Sequence, residues 1–63
     1  MNDKNIIHWI LQHESGYQSV ESIAEGMYPL RGKSSWQAIT FENTREQALE
    51  KVHEHNKKID SQP

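Results

Sequence analysis

The sequence predicts a small α+β domain in the order helix, helix, short β-hairpin or edge strand, helix, and three observations carry that reading. Ile6, Ile7, Ile10 and Leu11 fall on one stripe of a helix. Asn43 stands three residues before Glu46, an arrangement that starts helices. Between these two, Trp36-Gln37-Ala38-Ile39-Thr40-Phe41 is rich in aromatic and β-branched residues, which favour strands.

Taken in order, the first element is a helix from Lys4 to Glu14. Asn2 or Asp3 offers a side-chain oxygen to the free amides of the first turn. Lys4, His8 and Gln12 turn away from the apolar stripe, and Ser15-Gly16 stops the helix, since glycine takes the left-handed conformation that ends many of them. A second helix runs from Ser19 to Glu25, with Val20, Ile23, Ala24 and Met27 at i, i+3, i+4 and i+7, and Gly26 and Pro29 close it. Met27 to Ser35 is turn or loop.

Trp36–Phe41 reads as a strand followed by a turn at Glu42-Asn43. Its partner is either Met27–Leu30, across a turn at Arg31–Ser34, or the same strand of a second copy; Pro29 confines the first option to a sheet edge. The last element is a helix from Thr44 to Asn56, capped by Asn43 with Glu46 reaching back, and burying Ala48, Leu49 and Val52. Glu42, Glu46 and Glu50 come early and Lys57 and Lys58 late, which suits the helix dipole. The alternative is one unbroken helix through this region, with Ala38, Phe41, Ala48, Val52 and Ile59 at 3-4 spacing. That gives an all-α chain, helix-turn-helix-like or a helical hairpin. Thr40, Asn43 and Thr44, poor helix formers clustered mid-element, weigh against it.

With 63 residues there is one domain, its ends (1–3 and 58–63) frayed. Apolar residues make up 33% of the chain, enough for one small core and no deep catalytic cleft. There is no cysteine, so disulfides and thiolate zinc sites are excluded, and self-association or a protein partner is the expected extra source of stability. No apolar run exceeds three residues (Trp9-Ile10-Leu11), so no membrane-spanning segment is expected. The N-terminus has no secretory pattern, and the expected compartment is the cytoplasm. Seven Lys+Arg against nine Asp+Glu give a net charge of −2, with the basic residues scattered. Nucleic-acid binding, which draws most of its affinity from phosphate neutralisation, is therefore disfavoured.

No complete catalytic, cofactor or metal motif is found. Glu50 and His53 form one Glu-x-x-His pair where a di-iron bundle needs two, plus two further carboxylates. His53 and His55 are two apart on a helix and point away from each other. His13-Glu14 begins a zinc-protease motif whose second histidine is missing. Arg31-Gly32-Lys33-Ser34-Ser35 lacks the first glycine of a phosphate loop. No serine sits in Gly-x-Ser-x-Gly, and an enzyme reading would rest on His8, His13 and Glu14 in a site shared across an oligomer. No catalytic, cofactor or metal residue is assigned. The candidate interaction residues are Trp9, Tyr17, Tyr28, Leu30 and Trp36, large side chains in a chain with too little volume to bury them all.

The resulting expectation is a small non-enzymatic protein that binds or regulates another protein and self-associates, as a homodimer for instance. Its size and composition are those of short bacterial or bacteriophage accessory proteins. The stretch IIHWILQHESGYQSVESIAEGM is similar to the first two helices of helix-turn-helix DNA-binding domains. That resemblance implies a recognition helix at Ser34–Phe41, with Arg31, Lys33, Ser34, Ser35 and Gln37 meeting phosphates and base edges.

Overall fold

The computed structural model describes residues 5–29 and 34–61. It contains three strands and one helix: β1 (Ile6–His13), β2 (Gln18–Ala24), β3 (Trp36–Glu42) and α1 (Arg45–Asp60). The strands form one antiparallel sheet in the order β2-β1-β3. This overturns the helix–helix–hairpin–helix order, and the all-α alternative with it, because both N-terminal helices are strands. The strand expected at Trp36–Phe41 is present, but its partner is β1 and not Met27–Leu30.

The periodicity misled for a definable reason. β1 is the central strand and is covered on both faces at its middle, where Ile10 and Leu11 are adjacent in sequence, point to opposite sides, and are both buried. A strand buried on both faces does not alternate, so two apolar pairs one turn apart imitate a helical stripe. In β2, Val20 and Ile23 also point to opposite faces, although at i and i+3 they would share a helical one.

The stop signal at Ser15-Gly16 is a hairpin turn. Gly16 N–H donates to His13 O at 2.8 Å, and His13 N–H donates to Tyr17 O at 2.8 Å. This is the three-residue connection in which a tight turn is followed by a residue in the left-handed region. Gly16 takes that place with φ 103. A Cβ there would meet only Ile59 Cδ1 at 3.5 Å, ordinary contact, so the constraint is the backbone and not the space. Gly16→Ala is therefore expected to cost about 1–2 kcal/mol, read as a fall in the chemical-denaturation midpoint. An unchanged midpoint would show that the turn has relaxed to another form.

β2 and β3 both run antiparallel to β1, so β2 ends beside Ile6 and β3 begins beside His13, at opposite ends of the sheet. α1 covers one face. Ile10, Ala48 and Val52 form the core there, with Val20, the cross-strand neighbour of Ile10, packed against it. Leu11 belongs to the opposite face, and it and Pro29 are the largest fully buried side chains.

α1 begins one residue later than expected. Thr44 is the cap, its hydroxyl accepting from Gln47 N–H at 3.1 Å, so Asn43 and Glu46 do not form the box. The helix runs on to Asp60, which corrects the end at Asn56. Leu49, expected inside, is exposed.

The C-terminal half of α1 is tied to the β1–β2 hairpin by polar bonds. Asn56 Nδ2 donates to Gln18 O at 3.0 Å, and Asn56 Oδ1 accepts from Gln18 N–H at 2.8 Å. His55 Nε2 is 2.8 Å from Gly16 O and must donate to it. The Tyr17 hydroxyl donates to Asp60. That bond, and then the negative charge of Asp60, raise the Tyr17 phenol above its ordinary value. At the other end Lys51 pairs with Glu42 at 2.6 Å.

Candidate functional site

The face of the sheet turned away from α1 holds Trp9, Trp36 and Phe41. Alternation along β1 sends Ile7, Trp9, Leu11 and His13 to it. Their cross-strand neighbours bring Ile23 and Glu21 from β2, and Phe41, Ala38 and Trp36 from β3. Two edge-on ring pairs organise it. Trp9 and Phe41 lie with centroids 5.2 Å apart at 67°, and His13 and Trp36 at 5.0 Å and 65°. Edge-to-face geometry sets the positive edge of one ring against the negative face of the other, and adds to what burial alone contributes.

This face is only partly covered. Phe41 is 53% exposed, although β-strand alternation aims it at the same side as the fully buried Leu11. Ile39, also on β3, is 47% exposed. It is the extra residue of a bulge: Ile10 pairs with Thr40 and Leu11 with Ala38, so Ile39 has no partner in β1.

The predicted interaction residues are brought together only in part. Trp9 and Trp36 share the open face, one at its middle and one at its hairpin end. Tyr28 projects from the connection after β2 and is 71% exposed. Tyr17 is held to the end of α1 through Asp60 and does not join the face. Leu30 lies outside the described residues. Phe41 and Ile39 were not among the predicted residues. The signal that could have found them was the apolar content of a strand with no second apolar strand in sequence beside it.

The proposed DNA-contact set is described only in part, and its described members do not lie on a helix. Arg31 and Lys33 lie outside the described residues. Ser34 and Ser35 sit in the turn before β3, and Gln37 is within the strand, on the side facing α1. No recognition helix exists there, because Trp36–Glu42 is extended.

Two histidine–serine contacts invite a nucleophile reading, and their geometry rejects it. His13 Nδ1 is 2.9 Å from Ser15 Oγ, but the Ser15 backbone N–H also donates to that nitrogen at 3.1 Å. The lone pair a general base would use is thereby occupied. His8 and Ser22 meet at 2.7 Å as a cross-strand pair on the face toward α1. His8 and His13 thus point to opposite faces and form no cluster with Glu14. Among the described residues no three His, Asp or Glu side chains gather as a metal set. Two open hollows flank the sheet. One, of about 310 Å³, lies between Asn5, Ile7 and Phe41, and the other, of about 430 Å³, between His13, Ser35 and Trp36. No helix among the described residues is long and apolar enough to cross a membrane.

No protein-family model matches the chain, and neither a curated protein nor a solved structure matches it significantly.

Proposed function

We propose that this chain is a small non-enzymatic protein-interaction module, a regulatory accessory protein whose working surface is the open face of the sheet around Trp9 and Phe41. The observation that carries the reading is Phe41. Its ring packs edge-on against Trp9 on the apolar side of the sheet, yet about half of its surface stays in water. Aromatic residues in that position are typical anchors at protein interfaces.

Charge selects a protein over a nucleic acid as the partner. The ionisable residues that the described strands send to this face are His13 and Glu21, with no Lys or Arg among them. A phosphate backbone would meet no countercharge there. The chain also has no cysteine, which suits work in a reducing compartment such as the cytosol.

The test replaces single residues by a photo-crosslinking amino acid in the intact chain, in cells. Placed at position 41 it is expected to give discrete adducts; placed at Glu50, on the exposed side of α1, it is expected to give none. Equal yields from the two positions, or none from position 41, would sink the reading.

A further inference from the structure

Resting on that reading, we infer that one partner is a second copy of this chain, joined edge to edge through β3 into a continuous six-stranded sheet. Among the described residues the hydrogen-bond pattern leaves the outer edge of β3 open. His13 N–H bonds toward β2, at Tyr17 O, and Glu14 N–H toward β3, at Ser35 O. Alternation along an antiparallel ladder then directs Gln12, Ile10 and His8 toward β3. Their partners Thr40 and Glu42 spend their backbone groups on β1, while the N–H and C=O of Phe41, between them, point away from the sheet.

The two sheet edges differ in what guards them. On β2, Asn56 occupies the outward N–H and C=O of Gln18, and Glu21 stands at the strand's centre. Self-pairing about that centre would set Glu21 against Glu21 of the second copy, a like-charge contact. On β3 the one ionisable residue is Glu42, at the strand end and neutralised by Lys51. Natural edges are usually blunted by charge, proline or irregularity. Here there is only the bulge at Ile39.

Side chains then choose the register. The two large apolar residues of β3 that stand exposed are Ile39 and Phe41, two positions apart. Pairing about a two-fold axis at Thr40 sets each Phe41 opposite Ile39 of the second copy, and Thr40 opposite Thr40. Both are favourable cross-strand pairs. Glu42 falls at the far end of the pairing, clear of Glu42 of the second copy. No other symmetric register brings both exposed residues into reciprocal contact.

The experiment is sedimentation equilibrium of the full chain from low to high micromolar concentration, with folding of each variant checked by circular dichroism. The expected result is a monomer–dimer equilibrium in the wild type. Ile39→Lys alone and Phe41→Glu alone should each weaken it by about tenfold or more. Both side chains are about half exposed, and Phe41→Glu gives up the Trp9 ring pair within the monomer, so each variant is compared only where circular dichroism shows the native fold.

The decisive arm mixes the two variants. In the Thr40-centred register, Lys at 39 of one copy faces Glu at 41 of the other, while the second pair stays native. The mixture should therefore dimerise where each variant alone does not. A wild-type chain monomeric throughout overturns the inference, as does a dimer indifferent to both substitutions or a mixture that recovers nothing. The interaction reading is judged separately, by photo-crosslinking from position 41 to a different protein in the Ile39→Lys background. Such adducts beside a monomeric wild type would remove the second copy and keep the module.

Discussion

Leu11→Ala is expected to remove most of the stability of this fold. The side chain is 1% exposed, on the central strand, and on the face opposite the one α1 covers. Removing its three outer carbons loses their transfer free energy and leaves a cavity, together about 2–5 kcal/mol. A domain of this length holds only about 3–9 kcal/mol in total. The melting temperature should fall by at least about 10 °C. The control is Leu49→Ala, on the exposed side of α1, expected to change stability by less than about 1 kcal/mol. Comparable losses in the two variants would mean that Leu11 fills no more buried volume than a surface leucine.

The same two leucines show what the sequence could and could not reveal. Both were read as buried, because each sits in an apolar stripe at helical spacing. For α1 the inference held at Ala48 and Val52, because a helix on a sheet buries one stripe and the spacing of those two is set by that stripe alone. It failed at Leu49, which is exposed, and in β1 the burial of Leu11 held while the helix did not, because a central strand covered on both sides at its middle has no single stripe to read. The composition of Ile6–Leu11, three isoleucines and a tryptophan, suits a strand equally well, and spacing alone does not separate the two. The turn His13-Glu14-Ser15-Gly16-Tyr17 was equally readable as a helix stop, since glycine serves the left-handed conformation in both.

The candidate site was legible to the same partial degree. Trp9 and Trp36 were named from their chemistry, which does not depend on fold. Phe41 was not named: the apolar content of its strand pointed to it, but its exposure depends on β3 lying at an edge, and strand order is a long-range property. Tyr17 was named for its type and proved to be a tie between the hairpin and the helix end.

The seam between α1 and the sheet yields the other large effect. Ala48 has no exposed surface and sits with Ile10 and Val52 in the core. The small side chain lets the helix approach the sheet there, so Ala48→Leu adds volume where none is free. Overpacking of this kind costs about 1–3 kcal/mol through shifted backbone and unfavourable rotamers. It should be read as a lower denaturation midpoint and as broadened methyl signals from Val20 and Val52. Ile10→Ala alone should cost about 2–5 kcal/mol by the opposite route, a cavity. The informative chain carries both changes. If Ile10 and Ala48 fill one shared space, the added leucine occupies what the lost isoleucine vacates, and the double variant should be more stable than the sum of the single losses by about 1 kcal/mol or more. Strict additivity would separate the two residues and displace α1 from the position that leaves the opposite, aromatic face open.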